Sequence, residues 1–219
     1  MRAKNALTVT ALLLVVGASA VACGAEGRPE PPYVGAGEVC GGVFAGPLEE
    51  TVESVVGAAS FDRSDTKGMD RVVEALRDGH ASGRSWSSRK ELCEMSPEGV
   101  NPRNVARISF WNYAPRDVGD PNLDSGGRLF AVGKEATAGR ASASLYFECS
   151  SPLLKGSRER PARIAGALGA GKDRGAEVEY LAANLTVLHA ASLAVAKELE
   201  CENNAGLPEK LDPDLQPLP

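Results

Sequence analysis

Apolar residues recur at helical spacing in three stretches of the chain. Side chains three and four positions apart share one face of a helix, so this spacing predicts amphipathic helices with that face buried. The predicted helices cover residues 47–59, 66–78 and 176–200. Asp65 or Thr66 suits the N-cap of the second helix, and Gly79 is expected to end it. The third helix is the longest, with Leu185 and Leu188 at the middle of its apolar stripe.

Between the second and third predicted helices, apolar and polar residues alternate, which is the period of a strand with one buried face. The predicted strands cover residues 91–95, 104–113, 128–134 and 140–150. The alternation is clearest in the last of these, where Leu145 and Phe147 share one face. Residues 135–139 are expected to turn. Residues 151–175, rich in Pro, Gly and charge, are expected to form a loop with at most one helical turn at 164–168.

Helices segregated to the two ends of a run of strands indicate an α+β fold with two layers. We expect an antiparallel meander sheet covered by two N-terminal helices and the long C-terminal helix. The predicted division is a signal peptide at 1–22, a flexible tether at 23–39, a single globular domain at 40–206 and a proline-rich tail at 207–219. This arrangement resembles the PsbP-like and related α/β sandwich domains of actinobacterial cell-wall lipoproteins. The resemblance implies no catalytic or ligand-binding motif.

The start of the chain has the layout of a secretory signal peptide: a short basic head, an apolar run at residues 6–16 and then small residues. Ala20-Val21-Ala22-Cys23 resembles a bacterial lipobox, in which the cysteine thiol receives a diacylglycerol and becomes the first mature residue. The resemblance implies a lipoprotein on the outer face of the cytoplasmic membrane, with Cys23 as its lipidation site. Ala20 stands where Leu is usual, so a plain secretory signal remains an alternative. An uncleaved anchor is disfavoured because the apolar run is short for a membrane span.

Four cysteines remain once Cys23 is assigned to lipid, and an even number in an oxidising compartment indicates two disulfides. Their spacing contains no C-x-x-C or C-x-x-H knuckle, so no metal site is predicted. Four cysteines allow three pairings, and nothing local forbids any of them. We expect Cys40–Cys93 and Cys149–Cys201, because each of these pairs would tie a helix-bearing segment to a strand.

The formal net charge of the 219-residue chain is −5, and removal of Arg2 and Lys4 with the signal peptide leaves −7. An acidic exported domain is a poor candidate for binding nucleic acid. Contact with the membrane is expected through the lipid anchor only. No cofactor is predicted.

Candidate chemistry is sparse. His80 is expected to cap a helix end and His189 to pack within the long helix, and neither belongs to a recognisable catalytic motif. No G-x-S-x-G sequence is present. One loop collects four oxygen donors: Asp117, Asp120, Asn122 and Asp124. It resembles the start of a calcium loop but lacks the glycine and the final glutamate, so we expect an ordinary Asx-rich turn.

Trp111, Tyr113 and Arg107 share one predicted strand face, which would either bind a ligand or pack under a helix or loop. The leading hypothesis is a lipid-anchored extracytoplasmic binding or interaction domain of the cell envelope, its partner an unidentified envelope protein or small ligand. The alternative is a secreted enzyme, such as a cell-wall hydrolase with an atypical site. A pocket joining His80 or His189 to a carboxylate and a hydroxyl within hydrogen-bond reach would favour that alternative. A purely structural envelope protein is a third option.

Overall fold

Three α-helices and eight strands make up the regular structure of the described chain. The computed structural model describes residues 32–63, 67–99, 105–119, 123 and 126–219. The helices are α1 (Glu49–Val56), α2 (Gly68–Ala81) and α3 (Val178–Glu198). The strands are β1 (Tyr33–Val34), β2 (Phe61–Asp62), β3 (Lys90–Met95), β4 (Ala106–Asn112), β5 (Arg128–Phe130), β6 (Glu135–Gly139), β7 (Ser142–Cys149) and β8 (Ala162–Gly169).

Several expected features lie outside the described residues. These are the signal peptide, Cys23, the start of the tether, the capping residues Asp65 and Thr66, and Asp120, Asn122 and Asp124 of the acidic loop.

Strands β3 to β8 form one antiparallel sheet in the order β3-β4-β8-β7-β6-β5, and β1 pairs with β2 in a separate two-stranded sheet. α2 packs on β3 and β4, α3 lies across β6, β7 and β8, and α1 packs against α3. The α+β class and the long C-terminal helix are therefore confirmed. Among the described residues, α3 is long and apolar enough by composition to cross a membrane, but Leu181, Leu185 and Leu188 on it are fully buried in the core.

The prediction of a loop over residues 151–175 is wrong, because this stretch contains β8. β8 lies between β4 and β7, so the expected meander is interrupted at that point. Its sequence is rich in Ala and Gly, which have low strand propensity. The small residues meet a packing requirement instead: a Cβ at Gly166 would lie 2.7 Å from Cε1 of Phe110 and 3.2 Å from Cδ1 of Leu188.

The expected strand at residues 128–134 is shorter than predicted, and the expected turn at 135–139 is a strand. β5 ends at Phe130, the chain bends, and β6 then pairs with β7. Gly133 allows the bend because its φ is +63° and a Cβ there would overlap the carbonyl oxygen of Tyr146. A positive φ favours glycine, so this residue sets the strand break.

The prediction that Gly79 ends the second helix is wrong, because α2 continues to Ala81. The absence of a side chain at Gly79 lets α2 approach β4: a Cβ there would overlap Oδ1 of Asn112. The glycine therefore permits close packing between helix and strand and does not act as a terminator.

Both predicted disulfides are confirmed. Cys40, in a short 3-10 turn at Val39–Gly42, bonds to Cys93 of β3, with a Cα–Cα distance of 5.2 Å. Cys149, the last residue of β7, bonds to Cys201 beyond α3, with a Cα–Cα distance of 5.1 Å. The first bridge joins the segment that precedes α1 to the sheet, and the second joins the segment that follows α3 to the sheet.

The ordered domain extends beyond both of its expected boundaries. Val34, Ala36 and Val39 are buried, so the described end of the expected tether belongs to the core. At the other end Leu207 is buried, and the amide of Leu218 donates to the carbonyl of Leu129 at 2.8 Å. The proline-rich tail therefore runs along the β5 edge of the sheet, where proline is tolerated.

Candidate functional site

A small cleft opens to solvent between the end of α2 and the start of β8. It has a volume of about 110 Å³. One wall is the turn that follows α2 and carries Arg84. The opposite wall is the segment leading into β8 and carries Arg160 and Arg163. Tyr113 and His80 lie deeper in the cleft, and both are buried.

Hydrogen bonds from two directions fix the wall that carries Arg84. The amide of Asn112 donates to Oγ of Ser87 at 2.9 Å, and the amide of Ser87 donates to the carbonyl of Asn112 at 3.0 Å. Nδ2 of Asn112 donates to the carbonyl of Leu76 within α2 at 3.4 Å. The end of β4 thus holds both α2 and the turn after it.

The opposite wall is fixed by a small serine network. The amide of Ser151 donates to Oγ of Ser157 at 2.8 Å, and that hydroxyl donates to the carbonyl of Ser151 at 2.9 Å. Oγ of Ser151 donates to the carbonyl of Leu199 at the end of α3. Nε2 of His80 donates to the carbonyl of Lys155 at 3.1 Å, which ties this wall to α2. His80 therefore connects the two walls through this hydrogen bond. The sequence predicts instead that it caps the end of its own helix.

The cleft is strongly cationic, although the chain as a whole is acidic. Its described lining includes three arginines and no carboxylate. Nε of Arg163 lies 3.8 Å from Oε1 of Glu148 on the neighbouring strand. Arg84 and Arg160 are exposed and form no ion pair with any described residue. Two guanidinium groups at the mouth therefore keep their donors available.

Tyr113 connects the cleft to an aromatic cluster on the sheet face opposite the helices. Its ring meets that of Tyr146 edge to face, with the ring centroids 5.1 Å apart. Trp111 and Tyr146 flank Ala165 in one cross-strand row, and Arg89 lies 4.1 Å above the Trp111 ring. Burial, reinforced by the charge of Glu148, raises the pKa of Tyr113 to about 12. The phenol in the cleft is therefore neutral at physiological pH.

The three residues predicted to share one strand face, Trp111, Tyr113 and Arg107, have different surroundings in the structure. Trp111 lies on that face, but Tyr113 is buried with 3% of its surface exposed. Nε of Arg107 lies 2.8 Å from Oε2 of Glu94 and 3.7 Å from Oε2 of Glu91, which draws it toward β3. Arg107 is therefore paired with acids near the sheet edge.

The other sequence candidates lie apart from the cleft. His189 is buried in α3 with 3% of its surface exposed; its ring donates to the carbonyl of Pro208, while Nε2 has no partner among the described residues. Burial lowers the pKa of His189. Oδ2 of Asp117 accepts from the amide of Ala114 at 2.9 Å, as an ordinary turn residue does. Within the described part of the chain, no three His, Cys, Asp or Glu residues gather as a metal site would require.

Sequence reasoning missed the arginines that define the cleft. Arg84 lies between the second predicted helix and the first predicted strand, and Arg160 and Arg163 lie more than seventy positions later, in the loop predicted over residues 151–175. No local motif joins them, since their proximity depends on β8 lying beside β4. A prediction of β8 as a strand next to β4 would have placed both segments at the same end of the sheet.

Comparison of the chain with protein-family models, with curated proteins and with solved structures found no match.

Proposed function

We propose that this chain is a lipid-anchored extracytoplasmic binding domain of the cell envelope and that the cationic cleft is its binding site. The observation that carries the proposal is the cleft itself. It is built from three segments distant in sequence, and its arginines Arg84 and Arg160 have no acidic partner among the described residues. Exposed like charges placed together repel one another, so their grouping is better explained by a ligand than by stability.

The proposed location is supported by two independent features. The basic, apolar and small-residue pattern that ends at Cys23 is typical of an exported lipoprotein. The two disulfides, Cys40–Cys93 and Cys149–Cys201, suit a compartment in which such bonds persist. An acyl chain at Cys23 would then hold the acidic domain at the outer face of the cytoplasmic membrane.

The alternative of a secreted hydrolase lacks the arrangement that would favour it. His80 is bonded to a backbone carbonyl, and His189 is enclosed in the core. Among the described residues, neither histidine is hydrogen-bonded to a carboxylate or a hydroxyl side chain. The binding-domain proposal needs no such group.

Lipid anchoring is tested by comparing the parent chain with Cys23→Ser in a bacterium that processes lipoproteins. The parent should be found in the membrane fraction, and mass spectrometry should show Cys23 as its acylated N-terminus. The Cys23→Ser chain should be released into the medium or retained as precursor, whereas Ser19→Ala should behave as the parent does. Processing and anchoring that do not change in Cys23→Ser would contradict the proposal.

Use of the cleft is tested by capturing envelope components on the immobilised chain from detergent-solubilised envelope. Arg84→Gln/Arg160→Gln should lose a component that the parent and Arg128→Gln retain. Arg128 is the matched control because it is an exposed arginine on β5, at the far edge of the sheet. Equal capture by all three chains would show that the cleft is not the binding site.

A further inference from the structure

We propose that the cleft between Arg84 and Arg160 binds a phosphate group. This inference rests on the proposed function, because it names the ligand class of the same site. The phosphate would belong either to a soluble envelope compound or to a lipid headgroup. These two sources share one chemistry, and the experiment below separates them.

The charge in the cleft requires an anion. Three arginines line a space of about 110 Å³ in a chain whose formal net charge is −5. Guanidinium is always protonated, donates five N–H groups and has no acceptor, so it can bind oxyanions and cannot become neutral to relieve repulsion. Glu148 partly compensates Arg163, and that leaves Arg84 and Arg160 as the main contributors.

The placement of the arginines favours a tetrahedral oxyanion over a carboxylate. Arg84 approaches from the turn after α2, while Arg160 and Arg163 approach from the segment leading into β8. A phosphate offers oxygens toward both walls, whereas a planar carboxylate presents its two oxygens to one side. A phosphate monoester also carries about −1.5 to −2 charges at neutral pH. This charge matches two guanidinium groups that have no acidic partner among the described residues better than a single charge does.

The inner surface of the cleft is compatible with an anion as well. Tyr113 is a neutral phenol at physiological pH, and burial raises its pKa further, to about 12, so it adds no negative charge. His80 uses Nε2 to hold the carbonyl of Lys155, which keeps the two walls at a fixed separation. Since the cleft opens to solvent, the rest of a larger ligand can remain outside while its phosphate enters.

Isothermal titration calorimetry of the full chain, purified in detergent, tests the proposal with inorganic phosphate as the probe and acetate as the comparison anion. Phosphate should bind saturably and more tightly than acetate, and binding should weaken as salt rises. Arg84→Gln and Arg160→Gln should each weaken it by about tenfold or more, the loss expected for a hydrogen bond to a charged group. Arg128→Gln should bind as the parent does.

Thermal melts of the same variants keep the result interpretable. Arg84 and Arg160 are exposed and form no ion pair with a described residue, so their variants should melt close to the parent. Should either variant unfold, the comparison of phosphate with acetate on the parent chain still decides the question. Absence of phosphate binding to the parent, equal binding of acetate, or equal loss in Arg128→Gln would overturn the proposal.

Vesicles that contain phosphatidic acid, whose headgroup is a phosphate monoester, identify the source of the phosphate. The non-acylated Cys23→Ser chain is used so that the anchor makes no contribution. Vesicle binding that inorganic phosphate displaces indicates a lipid headgroup. Phosphate binding without vesicle binding indicates a soluble compound. If phosphate fails to bind while the arginine variants still lose an envelope component, this inference fails and the proposed function stands.

Discussion

Substitution of Gly166 by alanine tests whether the small residues of β8 exist to let α3 approach the sheet. Gly166 lies on the face of β8 that the helices cover. A Cβ there would come within 2.7 Å of Cε1 of Phe110 and 3.2 Å of Cδ1 of Leu188. Phe110 is 1% exposed and Leu188 is 0% exposed, so both are enclosed and have little room to shift.

Two opposing effects set the magnitude. Overpacking a closed core typically costs about 1–3 kcal/mol. Replacement of glycine by alanine also restricts the unfolded chain, which stabilises the fold by about 0.4–1 kcal/mol where the conformation permits. The free energy of unfolding of Gly166→Ala should therefore fall by about 0.5–2 kcal/mol, since the steric cost is the larger of the two.

Gly169 provides the matched control within the same strand. It is exposed, and a Cβ built on it meets no atom within 4 Å. Gly169→Ala should therefore be as stable as the parent or slightly more stable. Urea unfolding of both variants, with the disulfides intact, should give different midpoints at equal slope. If Gly166→Ala were as stable as Gly169→Ala, the packing argument for β8 would be refuted.

Three further predictions concern the core, the bridges and pH. Leu185→Ala should lower the free energy of unfolding by about 2–5 kcal/mol, because Leu185 is fully buried, and a melt matching the parent would contradict its burial. The free energy of unfolding of Cys149→Ser/Cys201→Ser should fall by about 4 kcal/mol, the loop-closure entropy of a loop of 52 positions. Non-reducing peptide mapping of the parent should recover a peptide that contains this disulfide. Burial lowers the pKa of His189, so the unfolded chain binds its proton first and stability should decline as pH falls below about 6.5. His189→Gln should reduce this decline in denaturation curves at pH 7 and pH 5; an identical decline would show that His189 is not its source.

The candidate site shows where sequence patterns lose information. Arg84, Arg160 and Arg163 carry no local motif, and they meet only because β8 aligns with β4. The sequence predicts that His80 caps a helix end, yet its partner is the carbonyl of Lys155, 75 positions away. Long-range partners of this kind leave no periodic signal.

The sequence by itself determined the α+β class, the long C-terminal helix and the even set of cysteines in the domain. These features depend on local periodicity and composition, because a helix or strand with one apolar face must repeat that face along its own residues. The alternation of Leu145 and Phe147 and the stripe that includes Leu185 are of this kind. The pairing of Cys149 with Cys201 was predicted from the geometry that these elements imply, with two rival pairings still open.

Only the tertiary structure decided β8, the continuation of α2 through Gly79 and the cleft. At Gly79 and Gly166 the residue is small because another element lies against it, and local propensity favours a different conformation. The contacts with Asn112 and Phe110 override that propensity, since burial of the helices on the sheet contributes more free energy than the preference of one residue. A requirement imposed by a distant partner can be recognised only after the chain has brought that partner close.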